Sequence, residues 1–570
     1  MSCAPACFPV NGCPALGVAP SSPASSLLST MTATRRREAP GTLRKPALSS
    51  RGSAHRDKVT PFWSIFDRIL CDCFCATRNP GGIVNMGIAN NYLMEAELLD
   101  FFHRHLELHP SDLTYGTSLF GSTRLFRAFC KHYNSPAFSP IKPVTPDQLL
   151  TGPGCGSLLD QVFEHLADAH DGVLIAAPYY NGFEADLSCR SNVECVPVYS
   201  DMGDGTEAAS FEGATALRGF EATQRAWLEQ HPGQQIRAVV VCNPNNPVGR
   251  CYTRSALVEY GSFAEKHDLH LVFDEIYALS TFESHSDEQP TQPFISALSI
   301  DWAVEAGCHP ARLHVLSSAS KDFGLNGFRI GTFVSQNNED LIRAMKATSK
   351  LYMVSSPADA LFAAIIHDEG FHRDFVATNR ARMAQAYDLV TRWCRHHSIG
   401  YTPTNAGHFV LVDLERFLPD QVDGHELAQE EREGALWAKA LENKVSITPG
   451  SNYRHPHTGT FRLTFTLGRP ALLEGLSRLE AALALLHWTA PDEVQVEMKG
   501  MEGEVPAAGD LEQAQWASMH RRPSISTSLV DAAAATHISA EARSRDSSTD
   551  SALSKVLAAT EMLKNRPCAC

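Results

Sequence analysis

One lysine lies in a setting suited to covalent chemistry. Lys321 follows the run Ser317-Ser-Ala-Ser and precedes Arg329 by eight positions. An amine forms a Schiff base with an aldehyde only when it can lose its proton, and burial or a neighbouring cation lowers its pKa enough for that. Ser318 and Arg329 would hold a phosphate carried by the same aldehyde. Pyridoxal 5′-phosphate (PLP) carries both groups and is tethered through a lysine, so the stretch predicts its anchor. Taken alone, the stretch is equally compatible with a surface lysine in a Ser/Gly loop.

Polar and aromatic side chains accompany three apolar runs that have the length and flanking turns of buried strands. The runs are residues 172–178 before Tyr179 and Tyr180, residues 237–242 before Asn243-Pro-Asn-Asn-Pro-Val-Gly249, and residues 270–277, which contain Asp274 and Tyr277. Open parallel sheets bind ligands at the carboxyl ends of their strands. Asp274 there would pair with the pyridine nitrogen of PLP and keep the ring an electron acceptor. An interior aromatic pair and an ordinary acidic pair at a strand end are the alternatives.

A Gly-rich turn leads into an apolar-periodic helix after residue 150. Free backbone N–H groups at a helix start carry a partial positive charge and can hold a phosphate. The predicted phosphate cup consists of Gly154, Cys155, Gly156 and Ser157. By itself such a helix start is weak evidence for a ligand.

In this order the motifs resemble the class I/II aminotransferases, and most closely 1-aminocyclopropane-1-carboxylate (ACC) synthase and its fungal relatives. The intervals of the series are 66, 28, 3, 44 and 8 residues, which fit that family, and its members are Tyr180, Asn246, Asp274, Tyr277, Lys321 and Arg329. A chance assembly of so many ordered motifs is improbable.

The resemblance implies roles for these and further residues. The catalytic residues would be Lys321, Asp274 and Tyr277. Tyr180 would stack on the pyridine ring, and Asn246 and Tyr277 would hydrogen-bond its O3′ oxygen. The phosphate would be held by Ser318, Arg329, the cup, and Tyr115 of a neighbouring subunit. The substrate α-carboxylate would meet the backbone near Ala89 and the guanidinium of Arg462, which matches it with two parallel hydrogen bonds. No metal is expected.

Asn90 departs from ACC synthase, which carries a glutamate in the corresponding stretch Gly-Leu-Ala-Glu-Asn-Gln. A carboxylate there can meet a cationic substrate or a moving proton, whereas an amide offers only a dipole. Ring closure on S-adenosylmethionine is therefore not expected.

The resemblance implies an α/β fold of fold-type I, with a large, mostly parallel sheet domain and a smaller α/β domain from both chain ends. The matching region is 48–488, with the large domain at about 106–355 and the small domain at about 60–105 plus 356–488. The family also implies a homodimer with shared active sites. The Pro-, Ser- and Ala-rich stretch 1–47 and the stretch 489–570 are predicted to be disordered, because neither can bury enough apolar surface.

Composition agrees with an ordinary enzyme. The formal net charge of −15 argues against a nucleic-acid partner, and the chain has no long uncharged apolar run typical of a membrane span. The 16 cysteines show no metal-ligand spacing, so we interpret them as reduced thiols. We expect a cytoplasmic protein; mitochondrial import is the alternative, because residues 1–37 contain no acid and include Arg35-Arg-Arg.

Three functions remain open at this point. The first is amino transfer, in which Lys321 moves the Cα proton of an amino acid. The second is a lyase on the same scaffold, either a C–S lyase of secondary metabolism or an ACC synthase-type enzyme. The third is a non-catalytic regulator, which the retention of every expected PLP ligand disfavours. The loops at 283–293 and 416–433 would choose the substrate side chain, and no motif in them names it.

Overall fold

In the computed structural model, the described residues are 46–58, 61–200, 210–284, 292–422 and 424–490. The chain divides into two compact units, Met1–Ile65 and Phe66–Cys570. The described part of the first unit contains helix α1 (Ser50–Lys58) and the beginning of α2 (Pro61–Cys71). The predictions of disorder for 1–47 and 489–570 concern residues that lie almost wholly outside the described ranges.

The strands of the second unit are short. They are β1 (Val84–Asn85), β2 (Leu149–Gly152), β3 (Gly172–Ala177), β4 (Glu194–Tyr199), β5 (Ile236–Cys242), β6 (His270–Asp274), β7 (Leu313–Ser318), β8 (Gly331–Val334), β9 (Phe409–Asp413), β10 (Gln421–Val422), β11 (His425–Glu426), β12 (Val445–Ser446), β13 (Thr448–Pro449) and β14 (Thr460–Thr464).

Helices connect most of them. They are α3 (Glu95–His105), α4 (Thr123–Tyr133), α5 (Cys155–Leu166), α6 (Phe183–Asp186), α7 (Phe220–Gln230), α8 (Arg254–Lys266), α9 (Trp302–Glu305), α10 (Ala319–Asp322), α11 (Glu339–Ser349), α12 (Ser356–His367), α13 (Glu369–His396), α14 (Gln429–Glu442) and α15 (Arg469–Leu483). Within the described residues, no helix is long and apolar enough to cross a membrane.

The main sheet has the strand order β2-β8-β7-β6-β5-β3-β4 among the described residues. The strands from β7 to β4 are parallel, and β8 runs antiparallel to both β7 and β2. Val239 and Val241 of β5 pack into one hydrophobic cluster, whereas Ala238 and Val240 pack into another. Both faces of the sheet are therefore covered, which is why its central strands are continuous apolar runs. The predicted α/β, mostly parallel architecture is confirmed.

A second sheet places β14 between β13 and β9, with all pairs antiparallel. Arg462 on β14 pairs with Leu411 on one side and with Thr448 on the other. A separate hydrophobic cluster packs this sheet against α13 and α15. The division into a large and a small domain at the predicted boundaries stays a prediction.

Two strand predictions were wrong in their bounds. The strand predicted over 270–277 ends at Asp274, because the N–H of Glu275 makes the last bond, to Leu316 of β7, and the chain then turns. The alternating pattern of residues 405–413 also predicts a strand, but that strand begins only at Phe409, and four of its five residues are buried. Before it, the N–H groups of Asn405 and Ala406 both donate to the carbonyl of Gly249.

Candidate active site

Lys321 lies one turn after the end of β7, on the short helix α10. Its Nζ donates to the carbonyl of Ala89 at 2.6 Å. With the amide of Asn326 oriented so that its oxygen faces the lysine, that oxygen accepts from Nζ at 3.2 Å. Burial and the positive charges of Arg462 and Arg329 lower the pKa of Lys321 to about 7. The amine can therefore lose its proton near neutral pH.

Asp274 ends β6 and is 4% exposed. Its Oδ1 accepts a hydrogen bond from the N–H of Ile276 at 3.2 Å. Burial raises the pKa of Asp274 to about 7, and the Ile276 hydrogen bond and the Lys321 charge only partly oppose this. These two contacts offset little of the cost of burying the charge of Asp274. A cationic N–H donor would stabilise the ionised carboxylate most, and a protonated pyridine is such a donor.

Asn246 and Tyr277 lie beyond the carboxyl ends of β5 and β6. Both are buried, at 3% and 2% exposure. The Tyr277 ring meets the rings of His408 and Phe409 edge-on, with centroids 5.2 and 5.5 Å away. Burial raises the pKa of Tyr277 well above its ordinary value, so the phenol stays protonated and can donate a hydrogen bond.

Arg462 is a buried cation held by neutral groups. Its Nη1 donates to Oδ1 of Asn246 at 2.8 Å and its Nη2 to the carbonyl of Gly87 at 2.5 Å. The guanidinium lies between the rings of Phe409 and Tyr453, 4.7 and 4.6 Å from their centroids. Its Nε is buried without a hydrogen-bond partner among the described residues. A buried guanidinium of this kind fits an incoming carboxylate.

The predicted phosphate cup forms where α5 begins. Gly154 has a φ of +92° and offers no side chain to cap the helix. A Cβ at Gly154 would lie 2.5 Å from Nη2 of Arg329, so only glycine lets this guanidinium approach the helix start. Nη2 donates to the carbonyl of Pro153 and Nη1 to that of Asn326, both at 2.9 Å. A guanidinium beside an uncapped helix N-terminus is a setting for a phosphate.

Of the remaining predicted residues, some lie at the site and one does not. Ser318 is buried near the cup, where its hydroxyl contacts Oγ of Ser320 at 2.8 Å and the carbonyl of Ile330 at 2.6 Å. Cys155 is buried at the first position of α5. Tyr180 is half-buried and packs against the hydrophobic cluster that contains Cys155 and Cys242. Burial raises its pKa, and the charge of Asp274 adds to this shift while that of Arg462 opposes it. Tyr115 is 76% exposed. This chain does not bring Tyr115 to its own site, and the role predicted for it across a subunit interface stays a prediction.

Sequence reasoning missed several residues of the site. His408, immediately before β9, lies against Tyr277, and Asn326 lies against Lys321. Tyr453 covers one face of Arg462. The signal for His408 was a polar residue at the start of an otherwise apolar run, which we interpreted as part of a strand.

The described residues thus fit PLP at three points. A lysine amine that titrates near neutrality, a buried carboxylate in need of a cation, and an arginine at an open helix start match its aldehyde, pyridine nitrogen and phosphate. With the mostly parallel sheet, these features define a PLP-dependent enzyme of fold-type I.

The protein belongs to the family "Aminotransferase class I and II", whose profile matches residues 83–479. It is 34% identical over 413 residues to the probable aminotransferase gliI of Aspergillus fumigatus, covering 71% of this chain and 91% of that protein. It is 30% identical over 441 residues to the probable aminotransferase aclI of Aspergillus oryzae, covering 76% and 98%. It is also 30% identical over 460 residues to 1-aminocyclopropane-1-carboxylate synthase 4 of Oryza sativa subsp. japonica, covering 75% and 87%. The predicted family and cofactor are confirmed: this is a PLP-dependent enzyme.

Solved structures support the fold. Bna3p, a putative kynurenine aminotransferase from Saccharomyces cerevisiae, matches with a TM-score of 0.60 at 18% identity, covering 77% of this chain and all of that one. A double mutant of aspartate aminotransferase from Thermus thermophilus matches with a TM-score of 0.57 at 20% identity and the same coverage.

Proposed function

We propose that this protein is an aminotransferase that removes the α-amino group of an amino acid and leaves a keto acid. The observation that carries the proposal is that uncharged side chains, those of Asn90, Tyr92 and Asn326, lie next to one another beside Lys321. The amide of Asn90 lies 2.9 Å from the hydroxyl of Tyr92 and 3.1 Å from the amide of Asn326. Amide and phenol groups offer no charge to a sulfonium, which disfavours cyclisation of S-adenosylmethionine.

The residues divide the work of amino transfer. PLP, when bound, withdraws electrons from the substrate Cα. Arg462 binds the α-carboxylate, and its two aromatic neighbours fix the plane of the guanidinium. Lys321 would take the proton from the substrate Cα, a task that suits an amine with a pKa of about 7. Asp274 would keep the pyridine nitrogen of PLP protonated, and Tyr277 and Asn246 would hold its O3′ oxygen.

Incubation with a panel of amino acids, each with and without a keto-acid acceptor, tests the proposal. We expect turnover that depends on the acceptor, measured as amino acid formed from it. Lys321→Ala should abolish this turnover, and Lys350→Ala, which removes an exposed lysine on the surface, should not. Release of pyruvate with a thiol or ammonia, without an acceptor, would refute amino transfer in favour of a lyase.

We also propose a homodimer with shared sites. Leu113 and Tyr115 are 83% and 76% exposed, as expected of side chains that a second copy covers. Mixed dimers of Lys321→Ala and Tyr115→Ala chains would contain one site with both residues intact. Refolding the two variants together should therefore restore activity that neither regains when refolded alone; no recovery would count against shared sites.

A further inference from the structure

Three polar side chains lie in a row that ends at the amine of Lys321. The hydroxyl of Tyr92 lies 2.9 Å from the amide of Asn90, and that amide lies 3.1 Å from the amide of Asn326. The Asn326 amide in turn lies 3.2 Å from Nζ of Lys321 and contacts the carbonyl of Ser320. The proposed reaction uses these three side chains only as uncharged neighbours of the lysine.

The groups at its two ends fix the direction of every hydrogen bond in the row. A carbonyl can only accept, so the NH2 group of Asn326 faces Ser320 and its oxygen faces Lys321. The same oxygen lies next to Asn90, so Asn90 presents its NH2 group to it. The oxygen of Asn90 then accepts from the hydroxyl of Tyr92, whose pKa is raised by burial so that it keeps its proton. In the opposite orientation, the Asn326 oxygen would face a carbonyl and its NH2 group would face an amine.

The amine of Lys321 has two oxygen acceptors in this arrangement. The carbonyl of Ala89 accepts from Nζ at 2.6 Å, and the amide oxygen of Asn326 accepts at 3.2 Å. A neutral amine has two N–H bonds and one lone pair, so these two oxygens take both N–H bonds. The lone pair is left in the remaining tetrahedral direction, away from both oxygens.

We propose that Asn326 is a positioning residue for Lys321: together with Ala89 it holds both N–H bonds of the free amine and leaves the lone pair for reaction. Asn90 and Tyr92 keep the Asn326 amide in the orientation that this requires. The inference rests on the proposed function only in taking Lys321 as the working amine. An ammonium makes a stronger hydrogen bond to an oxygen than a neutral amine does, so the Asn326 oxygen favours the ammonium about tenfold, which is about one pH unit.

Other charges act on the same amine and stay in place in the variants below. Arg462 from β14 and Arg329 before β8 disfavour its proton, while Asp274 at the end of β6 and, when ionised, Cys155 on α5 favour it. Nη1 of Arg329 donates to the backbone carbonyl of Asn326 at 2.9 Å, and a change of the Asn326 side chain leaves this carbonyl present.

The test measures the proton affinity of Lys321 in the full-length protein freed of PLP. Trace acetylation with acetic anhydride across a pH series, read by mass spectrometry of the Lys321 peptide, gives the titration midpoint of this one amine. Asn326→Leu removes the acceptor and should lower the midpoint by about one pH unit. Asn326→Asp keeps an oxygen next to the amine and should keep the midpoint at the wild-type value or raise it. A role in packing alone would not separate the two variants in this direction.

A second measurement reports how the lone pair is held. At a pH about two units above the wild-type midpoint, the amine is neutral in both wild type and Asn326→Leu, so a difference in protonation no longer contributes. With saturating PLP added there, the absorbance that depends on the link to Lys321 should develop at least about tenfold more slowly in Asn326→Leu, because the amine is no longer held by two acceptors.

Asn443→Leu is the matched control. Asn443 is half-buried, like Asn326, and its amide donates to the carbonyl of Lys439 at 2.9 Å where α14 ends. Its replacement should change neither the midpoint nor the rate. Tyr92→Phe removes the proton that orients the Asn90 amide and should lower the midpoint by about half a pH unit, so it carries the test if Asn326→Leu does not fold.

A wild-type midpoint or a wild-type rate in Asn326→Leu, an equal fall of the midpoint in Asn326→Asp, or an equal shift in Asn443→Leu would overturn the proposal. If Asn326→Leu does not fold, a wild-type midpoint in Tyr92→Phe would overturn it. The amino-acid panel is read separately, so a protein with the expected midpoints but no acceptor-dependent turnover would contradict amino transfer and leave the role of Asn326 standing.

Discussion

Replacing Arg462 by lysine keeps the positive charge of the site and removes its planar fork. The guanidinium is 4% exposed, bonded to Asn246 and Gly87, and enclosed by the rings of Phe409 and Tyr453. A lysine can meet a carboxylate with one hydrogen bond at a time and cannot stack as a plane. We therefore expect weaker binding of the α-carboxylate with the fold retained.

The hydrogen bonds and ring contacts of Arg462 give the size of this loss of binding free energy. Going from a two-point to a one-point contact removes one charge-assisted hydrogen bond, about 1.5 to 3 kcal/mol. Weaker stacking between two desolvated rings adds about 0.5 to 1 kcal/mol. The sum, about 2 to 4 kcal/mol, corresponds to a fall of about 30-fold to about 900-fold in kcat/KM.

The assay compares kcat/KM for the best amino acid of the panel with that for its decarboxylated amine. Arg462→Lys should lower kcat/KM for the amino acid by about 30-fold to about 900-fold. It should leave kcat/KM for the amine almost unchanged, because the amine has no carboxylate for Arg462 to bind. Arg454→Lys is the control: this exposed arginine on a neighbouring turn binds Glu184 with Nε and Nη2, at 3.1 and 3.0 Å. A change below threefold in Arg462→Lys, or an equal fall for the amine, would refute the carboxylate role.

Lys321→Ala should abolish turnover and the absorbance that depends on the link to PLP, with an unchanged circular dichroism spectrum; residual wild-type turnover would contradict the anchor. Asp274→Asn should still bind PLP but react at least about 100-fold more slowly, by stopped-flow absorbance, because one preorganised charge is lost; a wild-type rate would remove Asp274 from its role. Since Asn90 is uncharged, S-adenosylmethionine should yield no ACC by chromatography, and a rate comparable to other substrates would favour the synthase. Burial raises the pKa of Glu275 from 4.5 to about 8, so its ionisation destabilises the fold increasingly as pH rises through that window. The free energy of unfolding of Glu275→Gln in urea should therefore gain on wild type by up to about 1.4 kcal/mol per pH unit, and a constant difference would contradict this.

Local patterns predicted much of the fold. Strand β5 coincides with the apolar run at 237–242 except for one residue. Such elements depend on the periodicity of neighbouring side chains, which the sequence displays directly. Lys321 and Asp274 could be singled out because their chemistry is distinctive and because each follows or ends a recognisable run.

The ends of strands were less predictable, since they depend on partners distant in the chain. Nothing near Asp274 marks it as the end of β6. The strand stops there because the N–H of Glu275 makes the last bond to Leu316 of β7, after which the chain turns. The apolar pattern of one strand does not show at which residue its neighbour stops pairing with it.

The sequence by itself determined the family and the cofactor. Only the tertiary structure decided how the polar groups are paired. Asn246 and Arg462 are 216 residues apart and His408 lies 128 residues from Ser280, yet each pair is in contact. A hydrogen bond requires its two atoms within about 3 Å, and periodicity specifies only a direction from the backbone. Which buried polar groups meet was therefore decided by packing.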